Sequence, residues 1–403
     1  MYAGVPYQLV GLSCRAERGG KMDTSIVKLN FTSPIHLGAE GAAVEKIYDF
    51  LHSDTLFSSI CHAWLQTYGR KGLEELLGEF PKDKQNVPPS KELPFCFSSA
   101  FPFVGKVMDG EVRTTYFLPK LKKRPPFPDF EDKPEPKEAK RVKKTLDDMD
   151  WIDLSFFWEW AGYRKPVRLK NEDLDPRKWR CLREKLDRMN ELLNKAVESD
   201  FRPRVTIDRR TGRSLLYFFR LVYFSNDQRE GKGGLYFLVK CRDQDMKDRL
   251  TTALKFLGET GIGGERSSGY GKFEAEWCEL DVDWTIPQKI LDYPLERVTL
   301  SLYYPPNWDA LKPVSNYTLL RRAGWLESPF APKPQRRLVM YMFEEGTVFD
   351  VNKNLLLFEN EPRSIPTETL GTLVDVAPEG FLCKIGHSVY RYGLAFTVPV
   401  VPG

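Results

Sequence analysis

The sequence predicts an α+β protein of ferredoxin-like plan, arranged as two such units with an insertion in the first. Three observations carry the prediction. With its insertions removed, the stretch 23–280 runs strand, helix, strand, strand, helix, strand. A glycine-rich segment at 261–273 joins the second helix to a strand. After Leu280 helical periodicity fades while short strand patterns continue. The expected boundaries are an irregular extension over 1–22, a first unit over 23–280 with an insertion at about 105–200, and a second, degenerate unit over 281–403.

The elements follow in order. Ile26, Lys28 and Asn30 alternate with Val27, Leu29 and Phe31 in a first strand that ends at Ser33-Pro34. Met22 stands just before it as the expected start of the fold. Ser53 reads as the cap of a helix with Leu56, Phe57, Ile60, Trp64 and Leu65 on its apolar face and Gly69 as its stop. Pro94–Phe103 and Thr114–Leu118 are strand regions. Between Pro119 and Lys144 six prolines interrupt regular structure. There Lys120, Lys122, Lys123, Arg124, Lys140, Arg141, Lys143 and Lys144 flank an acidic centre. A solvated linker and an arm toward a polyanion both fit that stretch.

Leu146–Trp160 reads as an aromatic helix, and Leu182, Leu186, Met189, Leu192 and Leu193 mark another. Arg204–Asp208 and Leu215–Phe224 pair as a hairpin with Arg209, Arg210 and Arg213 at its tip. Solubility and phosphate binding both account for those arginines. Gly234–Val239 is a strand. Leu250, Ala253, Leu254 and Leu257 form a helix, with Gly258 as its stop. Phe273, Ala275 and Trp277 alternate with Glu274 and Glu276 in the strand that follows. Later strands are expected at Val298–Tyr303, Leu338–Phe343, Thr347–Phe349, Leu373–Val376 and Leu394–Val401.

Composition narrows the chemistry. Net charge is only +4, so any nucleic-acid surface is local. No apolar run reaches membrane-spanning length and no secretory signal opens the chain, so a cytoplasmic protein without membrane contact is expected. Seven scattered cysteines with no CxxC pair read as reduced thiols and argue against a metal site. Four histidines leave few candidates for histidine catalysis: His36, His52, His62 and His387.

The segment Gly261–Phe273 concentrates the binding signals. Gly263, Gly264, Gly269 and Gly271 permit close backbone approach. Arg266 and Lys272 supply charge, Ser267 and Ser268 short donors, and Tyr270 and Phe273 flat faces. Gly264 and Gly269 have the spacing of a mononucleotide phosphate loop, but Tyr270 stands where its lysine belongs and the helix precedes the loop. The dinucleotide fingerprint fails at Arg266, where a third glycine is needed. A ligand-free turn and a cradle for a sugar-phosphate backbone remain, and Gly269–Phe273 echoes the aromatic strand of RRM-like proteins.

A ferredoxin-like core with this loop after its second helix resembles the RAMP superfamily of CRISPR proteins. Ser53–Phe57 resembles the start of that family's first helix, and Arg204–Arg209 its arginine-tipped hairpin. Val389–Gly393 resembles the C-terminal signature of one branch, the subunit that caps the 5′ end of crRNA in type III-A (Csm-type) effector complexes. The resemblance spans roughly 24–400. It implies a non-catalytic, cofactor-free RNA-binding subunit that holds the crRNA 5′ handle. Its implied partners are the large multidomain polymerase/cyclase-like subunit and the first backbone RAMP subunit, and a thumb within 105–160 is expected to kink the guide.

Carried over, Gly263, Gly264, Arg266, Ser267, Ser268, Gly269, Tyr270, Gly271 and Lys272 become the bed for the handle, with His36, Arg209, Arg210 and Lys120 as further RNA contacts. Leu121 departs from the family pattern, where a second proline is expected. Two alternatives stand beside this reading. One is a metal-independent crRNA-processing endoribonuclease using His36 with Arg266 or Lys272. The other is the equivalent capping subunit of a type III-B complex.

Overall fold

The computed structural model describes residues 24–38, 50–83, 93–125, 137–163, 176–227, 229–280, 284, 296–305, 317–326, 335–350, 371–378 and 387–401. The expected extension over 1–22 and the prolines between 126 and 136 lie outside the described residues.

An antiparallel sheet organises the chain. Strand β1 (Thr24–Phe31) lies between β8 (Lys232–Cys241) and β9 (Phe273–Glu279), with Val27 opposite both Phe237 and Trp277. Beyond β8 come β3 (Phe101–Met108), β4 (Glu111–Pro119) and β5 (Trp151–Asp153), in the order β5-β4-β3-β8-β1-β9. Strand β2 (Phe95–Phe97) also pairs with β8. Every pairing is antiparallel.

Helices α1 (Ser53–Gly78) and α5 (Gln244–Thr260) pack on each other. Helix α5 buries Met246, Leu250, Ala253, Leu254 and Leu257 at helical spacing, and the Asp243 carboxylate caps it by accepting from the Met246 amide at 2.8 Å. The glycine signals differ from expectation. Gly258 does not stop α5; it lies within the helix because a Cβ there would be driven into the Phe273 carbonyl. Gly261, at φ +83°, ends the helix instead. Gly69 (φ +72°) kinks α1, which resumes as far as Gly78. Ser53 is not a side-chain cap: its amide donates to Ser99 Oγ at 2.8 Å, tying the helix to the segment after β2.

The insertion is more ordered than its charge suggests. The run through Lys140–Lys144 is helix α2 (Lys137–Asp148), because Ala139, Val142 and Leu146 recur on one buried face and pack on α4 (Pro176–Ala196). The helix expected over Leu146–Trp160 is broken. Trp151–Asp153 pairs with Phe117–Pro119 as β5, and Asp153 then caps α3 (Leu154–Trp160), accepting from the Phe156 amide at 2.7 Å. The described part of 105–160 therefore contributes Phe117, Leu118, Ile152, Phe156 and Phe157 to the core. A long arm is formed by β6 (Val197–Ile207) paired with β7 (Ser214–Phe224). Its outer half exposes Phe201, Val205, Ile207, Leu215, Leu216 and Phe218.

The described residues of 296–401 hold strands and no helix. Strand β10 (Glu296–Thr299) lies between β15 (Val348–Asp350) and β18 (Thr397–Val400). Three two-stranded ribbons complete this part. They are β11 (Leu319–Arg322) with β14 (Met340–Phe343), β12 (Trp325–Leu326) with β13 (Gln335–Arg336), and β16 (Leu373–Asp375) with β17 (Tyr390–Tyr392). Val298, Leu300, Leu394, Phe396 and Val398 share one hydrophobic core with Ile26, Leu56 and Phe237.

A buried ion cluster fixes this junction. Arg322 reaches Asp54 with both ends of its guanidinium, at 2.7 and 2.9 Å, and Arg391 reaches the same carboxylate. Burial alone would raise the Asp54 pKa, but Arg322 and Arg391 outweigh it and hold the carboxyl far below its ordinary range. Beside it His52 contacts Glu345 at 2.9 Å, and Ser99 Oγ donates to the same oxygen. Tyr392 stacks on Phe97 with ring centroids 4.7 Å apart.

Candidate nucleic-acid interface

The glycine loop is shaped first by its own packing. Its start and end are pinned together by the Ile262 amide donating to the Gly271 carbonyl at 2.9 Å. It is then laid on the turn after β1. The Gly264 amide donates to the His36 carbonyl at 2.9 Å, the Gly271 amide to Pro34 at 2.8 Å and the Lys272 amide to Ser33 Oγ at 2.8 Å. A Cβ on Gly263 would stand 2.5 Å from the His36 carbonyl, and one on Gly264 2.6 Å from the His36 ring. Three of the four candidate glycines thus answer to the protein's own backbone and to His36. Gly269 (φ +83°) faces open space at the outer turn.

What the loop presents outward is its middle. Arg266, Ser267 and Ser268 form a short turn, and all three are exposed, as is Lys272. Thr260, Gly263, Gly264, Glu265, Arg266 and Ser267 line an open cleft. The middle of the arm stands against the loop. Arg204 pairs with Glu265, donates to Ser268 Oγ at 3.2 Å, and lies over the Phe219 ring at 4.6 Å. Hydrogen bonding to Glu265 raises the Arg204 pKa further above its ordinary value. Phe219 also meets Tyr270, with centroids 6.3 Å apart.

His36 sits beneath this junction. Its Nδ1 is 2.8 Å from the Arg220 carbonyl, an acceptor only, so Nδ1 carries the proton. The ring's edge meets Phe219 at 5.6 Å. Among the described contacts of His36 no carboxylate orients the ring, unlike the usual base–orienter arrangement.

The remaining candidates lie apart. Arg209 and Arg210 are at the arm's turn, where Asp208 accepts from the Arg210 amide at 2.8 Å. Five residues of β7 separate that end from Phe219, roughly 17 Å of strand. Lys120 follows β4, and three strands lie between β4 and β9, so roughly 19 Å of sheet separates it from the loop. Its ammonium donates to the carbonyls of Leu146 and Asp147 at 2.7 and 2.9 Å, capping α2. Burial lowers its pKa.

Residue-type reasoning missed Arg204, Glu265 and Phe219. The signal was present for two of them: Glu265 is the acid inside a basic loop, and Arg202 and Arg204 recur at strand spacing toward one face.

Among the described residues no group of three or more His, Cys, Asp or Glu is placed to hold a metal, and no helix is long and apolar enough to cross a membrane. Burial pushes the Cys61 and Cys241 thiols up to about 12, which leaves them unreactive.

The model of the RAMP superfamily matches residues 28–274, from β1 through the glycine loop into β9. The chain belongs to the RAMP superfamily. The model of the CRISPR Csm4 C-terminal domain matches 295–354 of this RAMP protein. The protein described as CRISPR system Cms protein Csm4 from Thermococcus onnurineus is 28% identical over 353 residues, covering 87% of this chain and 92% of that one. Its namesake from Methanocaldococcus jannaschii is 22% identical, covering 94% and 98%. A chain from the crystal structure of a Csm3-Csm4 subcomplex of the type III-A CRISPR-Cas interference complex matches with a TM-score of 0.55 at 16% identity. That match covers 94% of this RAMP protein and 100% of the other, and speaks to the fold.

Proposed function

We propose that this RAMP protein is the subunit of a type III-A CRISPR interference complex that holds the 5′ handle of crRNA. It acts as a binder, without cleaving the RNA, and joins the large polymerase/cyclase-like subunit to the first backbone RAMP subunit. The observation that carries this reading is the joint between loop and arm. Arg204 clips the two together, and Arg266, Ser267, Ser268 and Lys272 are left exposed beside Tyr270, which is half-buried and packs on the buried Phe219. Exposed cations and short donors suit phosphates, and the open part of the Tyr270 ring suits an unstacked base.

Two further points support it. The core order β9-β1-β8-β3 is the order a ferredoxin-like βαββαβ unit requires. The relatives that cover nearly the whole chain bear the Csm4 name. Against a nuclease, His36 faces a backbone carbonyl and an aromatic edge, with no acid–base partner in that set.

Arg266→Ala is expected to weaken binding of handle-bearing crRNA by about 1–3 kcal/mol. Lys255→Ala, an exposed change on α5, should leave it within about 0.5 kcal/mol. Titration of labelled RNA at physiological salt measures both. Equal, negligible losses would contradict the assignment.

A further inference from the structure

The helix pair of the insertion carries a charge imbalance that the glycine loop does not use. Helices α2 and α4 hold twelve lysines and arginines against six aspartates and glutamates, a net of +6. The whole chain nets +4, so everything outside these two helices nets −2. By sequence the Lys140–Lys144 run fits a solvated linker and a polyanion contact equally, and the fold gives that run a shape.

The apolar pattern decides where the charge points. Ala139, Val142 and Leu146 of α2 and Trp179, Leu182, Leu186 and Met189 of α4 are buried. The basic residues are therefore turned outward. Lys137, Lys140 and Lys144 recur along the exposed face of α2, and Arg177 and Arg180 are exposed on the first turns of α4. Several of the acids are already engaged. Glu138 takes Arg141 at 2.8 Å and Arg183 at 2.9 Å, and Glu191 takes Lys195 at 2.8 Å. Asp147 and Asp148 stand at the last turn of α2, beyond the lysine stripe.

We propose that the exposed basic face of α2 and α4 is a second RNA surface, which takes the phosphodiester backbone of a single strand regardless of sequence. Among the described residues the face carries no exposed large apolar side chain. A protein partner needs an apolar or aromatic centre, and lysine is depleted in such interfaces. A polyanion needs only the charge, and gains from counterion release. Lysine acts on phosphate as a point charge, without the planar fork that reads a base, so the contact is blind to sequence. Helix α4, which carries Arg177 and Arg180 on its first turns, runs at its other end into β6 and so into the arm whose Phe219 meets the glycine loop. It lies on the β3–β5 side of the sheet, away from β9.

The test uses the full chain with Lys137, Lys140 and Lys144 each replaced by glutamine, a good helix former, and oligouridine lacking any handle as the probe. The expected result is about a tenfold loss of affinity at physiological salt. The slope of log affinity against log salt should shrink by about two, because each phosphate of a single strand that is no longer neutralised removes ~0.7 from it. An unchanged affinity and slope, with the thermal midpoint also unchanged, would overturn the proposal and leave a solvated face. So would displacement of oligouridine by polyglutamate as readily as by RNA.

Two further arms identify the strand. A loss seen with crRNA alone assigns the surface to the guide. A loss seen only when a complementary RNA with a single-stranded extension is added assigns it to a second strand. The triple variant should still tell a true handle from a scrambled one, whereas Arg266→Ala should not. The surface and the handle site can therefore fail separately.

Discussion

Arg391→Ala is expected to cost about 3–5 kcal/mol of unfolding free energy, the usual consequence of removing one partner of a buried ion pair. Arg391 is 2% exposed and reaches the Asp54 carboxylate and, at 2.6 Å, the Ala323 carbonyl. Its own pKa is lowered to about 10, by burial first, with the Asp54 charge opposing that fall. Removing it strands the buried Asp54 with Arg322 as the remaining guanidinium. The junction between α1 and the C-terminal strands loses its fixed point. Asp54→Ala should cost as much, because two cations are then left facing each other.

The double variant should lose clearly less than the sum of the two, since removing Arg391 also removes the repulsion with Arg322 that Asp54→Ala exposes. Chemical unfolding with an unchanged denaturant slope measures all three, and a loss under about 1 kcal/mol for either single change would contradict the account. The pH sign follows from the lowered carboxyl. A group whose folded pKa is depressed lends stability that is fully present above its ordinary pKa and is lost as pH falls through the folded value. The Asp54 contribution should therefore hold from neutrality down to about pH 4 and decline only below it.

Gly271→Ala is the second large effect, and it joins stability to binding. Gly271 has φ +76°, where an L side chain is strained, and a Cβ there would be driven into the Ile262 carbonyl. That carbonyl belongs to the same pinned pair that closes the loop, so the backbone has to open for the methyl to fit. A cost of about 2–4 kcal/mol is expected, strain and overpacking together. Loss of handle-RNA binding should accompany it even where the protein stays folded, because the outward placement of Arg266 depends on the closed loop. Gly269→Ala is the matched control: it carries similar backbone strain at φ +83° but meets no neighbour, so its effect should be about 1 kcal/mol. Equal effects at the two positions would show that the pinning contact does not matter.

The parts of this architecture that were legible in sequence are those governed by short-range pattern. The alternation of Ile26–Phe31 and the spacing of Leu250, Ala253, Leu254 and Leu257 each point to one element, and those elements are present as β1 and α5. The two strands flanking Arg209 and Arg210 are likewise there, though longer than the alternation indicated. Glycines misled wherever their reason lay across the fold. Gly258 reads as a helix stop, but what demands it is the carbonyl of Phe273 on another element. The lysine run at 140–144 reads as a linker or an arm toward a polyanion, and not as a helix, because charge obscures three apolar positions, Ala139, Val142 and Leu146, that only the partner helix makes meaningful.

The candidate site divides along the same line. The sequence presents Arg266, Ser267, Ser268 and Lys272 as a local cluster, and the turn holding His36 does come to lie under Gly264. Arg204, 61 residues before its partner Glu265, required the arm to fold back onto the loop. The junction of Asp54 with Arg391 spans 337 residues, so it unites two segments that the sequence could present only as separate motifs.

The most direct test of the central claim is one titration. The full chain is mixed at physiological salt with crRNA carrying its repeat-derived 5′ handle, and separately with the same RNA carrying a scrambled handle. Cleavage is followed in the same samples with and without divalent metal. The account predicts tighter binding of the true handle, abolished by Arg266→Ala, with both RNAs recovered intact. Equal affinity for the two handles, or site-specific cutting at the repeat that is lost in His36→Ala, would contradict it.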